Sequence, residues 1–295
     1  MEQQLFTVFG ATGQQGGALL QYLFNHPRLS KIYRLRGVTR DSKKPAARAL
    51  VEQGVEMVEA DMNDPASLEA ATQGSHIVFA MTDFWSAGSK ETEIAQGKAL
   101  ANAALATKAH ALIWSSLPRI GLPNFDGKAD VEAYIRNLPM KSLFYMPGWF
   151  MQNQLSFSKP VKQANENQQG GETYILKPLF PGCEADTLVP LVDNEDIGKY
   201  LQPFLDDQDR YNGVGLVASS EFMTPRDMCA VWRKVTGKEV WFENEEEVKR
   251  IDRGGEDSWY YGDGSRKALE WTLEQMEGKT TSWEDFVKRE EGAWF

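Results

Sequence analysis

Three glycines, Gly10, Gly13 and Gly16, recur at a spacing of three within "VFGATGQQGG". They follow an apolar run and lead into a helix-forming one. Each has a separate use if the loop is to hold a pyrophosphate. The first lets the chain turn sharply off a strand, the second lets the backbone approach the phosphates, and the third lets the helix pack on the sheet. The start of that helix then offers unpaired N–H groups and a partial positive charge. With Thr12, Gln14 and Gln15 completing the loop, the stretch reads as an anion cradle for a dinucleotide. A glycine triplet alone is weak, because tight turns also collect glycine. The preceding strand and the following helix carry the reading.

The end of the second strand selects the dinucleotide. An NAD site places an acid there to accept from the ribose 2′-hydroxyl. Here the sequence is "GVTRDSKK", with Arg40 at that point and Lys43 and Lys44 close behind. Arg offers a bidentate fork and Lys a point charge to a 2′-phosphate, which favours NADP(H). Asp41 comes one position later, where it suits a turn cap. Further contacts follow from the carboxyl ends of the next strands. Asp61 and Met62 fall beside the adenine. Thr82, Asp83 and Phe84, with Met81 and Trp85, fall beside the middle of the cofactor, and the two aromatics suit either packing or a wall of the nicotinamide pocket.

The fifth strand ends in "IWSSLPRIG", and a helix opens over "NFDGKADVEAYI". Rossmann-type dehydrogenases commonly work with Ser, Tyr and Lys, the last two spaced YxxxK, so that Tyr gives a proton and Lys lowers its pKa. Four residues before Lys128 stands Asn124, so the usual donor is missing. The candidate catalytic residues are therefore Lys128, as acid, base or ribose ligand, and Ser115 or Ser116, to orient a substrate oxygen. Tyr134 lies six residues beyond Lys128, turned away from it on a helix, and reads as structural.

These residues need strands that end together. Apolar runs at Leu5–Phe9, Tyr33–Thr39, Glu56–Glu59, His76–Ala80, Ala111–Ser115 and Ser142–Met146 alternate with helices at Gln15–Phe24, Ala46–Gln53, Pro65–Ala71, Glu91–Lys108 and Gly127–Asn137. That alternation predicts an α/β fold, a Rossmann doubly wound parallel sheet over residues 1–150. A smaller mixed α/β C-terminal lobe is expected over 151–295. A strand and a helix at about 187–206 are expected to return to the Rossmann sheet, and a surface loop is expected over Lys162–Glu172. The formal net charge of −10 argues against direct binding to nucleic acid or to an anionic membrane. No run of eighteen apolar residues is present. Two distant cysteines and three unpaired histidines give no metal-ligand spacing, so no metal is expected and a reducing, cytoplasmic setting is, or a nuclear one reached with a partner.

"VFGATGQQGG", "VTRDSKK", "TDFWS", "QGKALA", "NFDGKADVEAYI", "PGWFMQN" and "VDNEDIG", taken in order, resemble the NmrA-like family of atypical short-chain dehydrogenases over about the first two hundred residues. The resemblance implies NADP(H) on the glycine loop, basic contacts from Arg40 and Lys44, a retained Lys at Lys128, and contacts from Asp61, Thr82, Phe150 and Asn153. One departure is Ala95, just ahead of "QGK", where some NADP(H)-sensing members carry Lys. Members similar to this chain include nicotinamide-sensing regulators that bind protein partners, and reductases that work with Lys alone. Two functions are therefore expected to compete. One is a redox-sensing regulator acting through a protein partner, with the Trp-rich C-terminal half as interface or as core. The other is an NADPH-dependent reductase of a small aromatic, quinone or enone carbonyl compound using Lys128. Helices Glu91–Lys108 and Gly127–Asn137 also suit the bundle of a homodimer.

Overall fold

β1 (Gln4–Phe9) is buried from Leu5 onward, which is what a strand covered by helices on both faces requires. It lies inside a seven-stranded sheet. The other strands of this sheet are β2 (Tyr33–Thr39), β3 (Glu56–Glu59), β4 (Ser75–Ala80), β5 (Ala111–Ser115), β6 (Lys141–Pro147) and β11 (Val214–Ala218), in the order β11-β6-β5-β4-β1-β2-β3. The computed structural model describes residues 2–163, 172–243 and 260–294. β1 pairs parallel with both β2 and β4, so the strand order reverses on either side of β1. In such sheets ligands bind at this reversal, beyond the carboxyl ends of the strands.

The connecting helices are α1 (Gln14–Asn25), α2 (Leu29–Ile32), α3 (Pro45–Glu52), α4 (Pro65–Thr72), α5 (Phe84–Ala87), α6 (Lys90–Ala106) and α7 (Pro123–Ile135). Helix α1 buries Gly16, Leu19, Leu20 and Leu23, a three-to-four spacing that turns one stripe to the sheet. α3, α4 and α7 each start with Pro in the first turn, where its missing N–H costs nothing. For α7 this moves the start: the helix expected to follow Asp126 begins at Pro123. Asp126 instead accepts from the backbone N–H groups of Ile120 (3.1 Å) and Gly121 (3.0 Å).

The chain divides into two compact units. The first comprises Met1–Pro147, Glu195–Val217 and Trp271–Glu277, and the second Gly148–Asn194, Ala218–Glu270 and Gly278–Phe295. The segment expected to return at about 187–206 splits. Helix α8 (Ile197–Asp206) belongs to the first unit and packs on α1, where a Cβ at Gly198 would fall 2.0 Å from the Tyr22 ring. β10 (Val189–Val192) does not join the large sheet, because β11 takes the edge beside β6. It pairs instead with β7 (Trp149–Phe150) and β12 (Glu221–Met223).

A second small sheet joins β8 (Val161–Lys162), β9 (Thr173–Leu176) and β13 (Glu239–Phe242). Helices α9 (Pro225–Thr236) and α11 (Trp283–Arg289) bring Trp232, Trp283 and Trp294 together, fully buried, with Trp232 4.8 Å from Trp283 and 5.2 Å from Trp294. These three fill the core of the second unit and are not available to a partner. Trp241 is partly exposed under Arg233 and Trp271, on α10 (Ser265–Gln275), lies against Tyr211. Trp259 and most of Lys162–Glu172 lie outside the described residues.

Candidate functional site

The turn off β1 has the geometry its glycines predict. Gly10 sits at φ +67°, a conformation L-residues rarely adopt, and a Cβ there would lie 2.7 Å from Met81 Sδ. A Cβ on Gly16 would lie 2.3 Å from Gly10 O and 2.6 Å from Gly10 C, so backbone meets backbone and only glycine fits. Gly13 is different: its added Cβ would meet only Gly10 O, at 3.3 Å. Gly13 is the N-cap of α1, brings no side-chain cap, and is followed by no acidic residue in the first turn. Thr12, Gly13 and Gln14 are exposed. The turn therefore presents an uncapped helix start on an open surface, which is the electrostatic requirement for a bound pyrophosphate.

Arg40 follows β2 directly and is exposed, as are Lys43 and Lys44; among the described residues none of the three takes part in a recorded ion pair. Asp41 accepts from the Lys43 N–H at 2.9 Å, the turn-capping use its position suggests. Asp61 is likewise occupied: its Oδ1 accepts from Asn63 N (2.8 Å) and Asn63 Nδ2 (3.0 Å). Met62 packs against the core beneath. Asp83 caps α5, accepting from Trp85 N at 3.1 Å and Ser86 Oγ at 2.6 Å. Phe84 meets Trp85 edge to face, and Trp85 is 81% exposed, so it does not serve as core packing.

The candidate catalytic groups are all held by protein partners. Lys128 Nζ donates to Glu93 Oε1 (2.6 Å), to Thr82 O (2.9 Å) and to Thr82 Oγ1 (3.1 Å). Thr82 Oγ1 in turn donates to Glu93 Oε1 at 2.9 Å. An ammonium has three N–H bonds, and here all three are directed at the chain itself. Burial pushes the Lys128 ammonium below the ordinary lysine value, and the Glu93 carboxylate pulls against that. Ser116 Oγ donates to Glu132 Oε2 (2.5 Å), and Ser115 Oγ donates to Gln15 Oε1 (2.8 Å). Tyr134 donates to Asn102 on α6 at 2.7 Å, a helix-pairing role.

Phe150 and Asn153 belong to the second unit, on β7 and the turn after it, where Asn153 O accepts from Ser156 N and Ser158 N. Trp149 beside them packs against Phe157 and Phe180 in that unit.

Two acids escaped the reading of the sequence. Glu93 is fully buried, and Gly127 leaves room for it: a Cβ there would fall 2.8 Å from Glu93 Oε2. Its signal was available, since Glu93 starts the buried stripe Glu93, Gly97, Leu100 and Ala101 of α6 at helical spacing. An acid on an apolar face requires a partner. Glu59, which ends β3, accepts at Oε1 from Ser42 N (2.9 Å) and Ser42 Oγ (2.6 Å). Those two donors hold its carboxyl below the usual value.

Comparison with known proteins agrees with the fold. The model of the NmrA-like family matches residues 2–254. The NmrA-like family domain-containing oxidoreductase himF of Aspergillus japonicus is 29% identical over 262 residues, spanning 81% of this chain and 75% of its own. The crystal structure of NmrA, a negative transcriptional regulator, in complex with NADP is similar with a TM-score of 0.74 at 20% identity, covering 98% of this chain and 95% of that one. The triphenylmethane reductase of Citrobacter sp. complexed with NADP(H) gives a TM-score of 0.69 at 18% identity, covering 96% and 99%. At such identities the two structures speak for the fold.

Proposed function

The chain belongs to the NmrA-like family, and from that premise we propose that it binds NADP(H) in its first unit and works as a nicotinamide-sensing regulator through a protein partner. The residues present fit that cofactor. Gly10 and Gly16 leave the backbone clear, the start of α1 would offer its N–H groups to the pyrophosphate, and the exposed Arg40 and Lys44 follow β2, the strand whose end commonly reads the ribose. NADP(H) would supply, or accept, a hydride at its nicotinamide.

One observation carries the choice of a sensor over an enzyme: Lys128 has no N–H left to give. Glu93 and Thr82 take all three, and Ser115 and Ser116 are engaged as well. A general acid must hold a transferable proton within reach of its substrate.

The second reading is an NADPH-dependent reductase of a small aromatic, quinone or enone carbonyl compound. It is favoured by relatives named as oxidoreductases and by the burial that makes the Lys128 ammonium readier to release a proton. In that reading Lys128 drops one Thr82 acceptor and turns to the substrate oxygen, while Ser116 orients it.

Turnover separates the two. NADPH oxidation followed by absorbance with a panel of quinones and enones should stay at the rate of the enzyme-free mixture. Steady-state turnover by the unaltered protein with any member of the panel would establish the reductase and remove the sensor reading.

A further inference from the structure

We propose that Glu59 is a built-in competitor for the 2′-phosphate of the cofactor, and that it sets how strongly this chain prefers NADP(H) to NAD(H). The inference rests on the NADP(H) reading of the first unit and assigns a residue that reading does not use.

The placement comes from the sheet. β2 and β3 pair in parallel with Thr39 opposite Glu59, so the two strands end side by side. Arg40 continues from one and the Glu59 side chain closes the other. Between them, Ser42 offers a backbone N–H and a hydroxyl, and both donate to a single carboxylate oxygen, Glu59 Oε1, at 2.9 and 2.6 Å. Lys43 adds its charge to the same carboxylate. The N–H and O–H of Ser42, flanked in the chain by the exposed Arg40 and Lys43, are of the donor types that recognise a phosphate monoester. In this structure an acid of the chain itself is seated on two of those donors.

A 2′-phosphate reaching Arg40 meets that acid in one of two ways. It displaces Glu59 from Ser42, or it binds beside a like charge. Both weaken a cofactor that carries the phosphate. A cofactor with a 2′-hydroxyl meets no such opposition, because a hydroxyl donates to a carboxylate. The acid that commonly reads this hydroxyl comes from the end of the second strand. Here that position is Arg40, and the acid arrives from the neighbouring strand instead.

The competing account is that Glu59 only pins residues 41–43. Glu59→Gln separates them, because the amide oxygen still accepts from Ser42 while the charge is gone. Calorimetric titration of the full chain with NADPH and NADH, and with the fragments 2′,5′-ADP and 5′-AMP, is the measurement. The ratio of NADPH to NADH affinity should rise about tenfold in Glu59→Gln, with the same shift between the two fragments. Ser42→Ala should move the ratio the other way. An unchanged ratio in Glu59→Gln, or an equal change for both cofactors, overturns the proposal. Arg40→Ala is titrated in parallel. If it selectively weakens NADPH while Glu59→Gln leaves the ratio alone, Glu59 is a pin and the NADP(H) reading stands. If Arg40→Ala leaves both cofactors unchanged, the reading of the phosphate site falls, and the Glu59 proposal falls with it.

Discussion

Lys128→Met should lower the free energy of unfolding by about 3–5 kcal/mol, because it leaves the Glu93 carboxylate charged and buried without its cation. Glu93 is fully buried and Lys128 only 13% exposed, so water cannot replace the lost partner. The Thr82 hydroxyl would remain as a donor, but one neutral hydrogen bond does not offset a stranded charge. Replacing both partners, as Lys128→Met with Glu93→Leu, should restore most of the loss, since an apolar pair of similar volume carries no desolvation cost. Urea unfolding of the wild type, the two single variants and the double variant closes a cycle that isolates the pair. A Lys128→Met protein as stable as the wild type would mean that the pair is not the ion pair described above. Assays of any Lys128 variant for turnover therefore need its stability measured alongside.

Gly16→Ala should cost about 1–3 kcal/mol in stability and reduce NADPH affinity at least about a hundredfold, the scale on which a displacement of order 1 Å disables a positioned site. The added Cβ has no space: Gly10 O at 2.3 Å, Gly10 C at 2.6 Å and Ala11 N at 3.0 Å are all main chain and cannot swing aside. The start of α1 must move away from the turn that aims it. Two neighbouring substitutions sharpen the test. Gly17→Ala meets only Ala11 O at 3.4 Å, an ordinary contact, and should bind NADPH as the wild type does. Gly13→Ala meets only Gly10 O at 3.3 Å, so it should spare the fold and yet weaken NADPH, because its methyl stands where the pyrophosphate approaches. Thermal unfolding and NADPH titration of the three variants check the ordering. Undiminished affinity in Gly16→Ala would mean that the cofactor does not depend on this turn.

The large sheet was legible because its signal is local. Buried parallel strands read as short apolar runs, and the ends of β2, β3 and β5 fall where the sequence places them. The glycine loop was legible for the same reason, as each glycine answers to the few residues around it. What escaped the sequence depends on distant segments. β11 is a run of five residues after a long excursion, and nothing in "VGLVA" says which sheet edge it will join. The pairing of Glu93 with Lys128 spans thirty-five positions, and that of Ser42 with Glu59 spans seventeen. An acid's partner across such a distance is fixed by topology, even where its position on a buried stripe announces that it needs one. The three buried tryptophans of the second unit show the converse. Their number in so short a stretch favours a core while leaving an interface open, and their mutual packing decides for the core.

The proposed function stands on the start of α1 and the Arg40 guanidinium holding NADP(H) together. Calorimetric titration of the unaltered chain with NADPH and NADH, repeated on Arg40→Ala, tests it most directly. NADPH should bind at least about tenfold tighter than NADH, with most of that difference gone in Arg40→Ala and NADH affinity little changed. Absence of heat with either dinucleotide, or equal affinities that Arg40→Ala leaves alone, would contradict it.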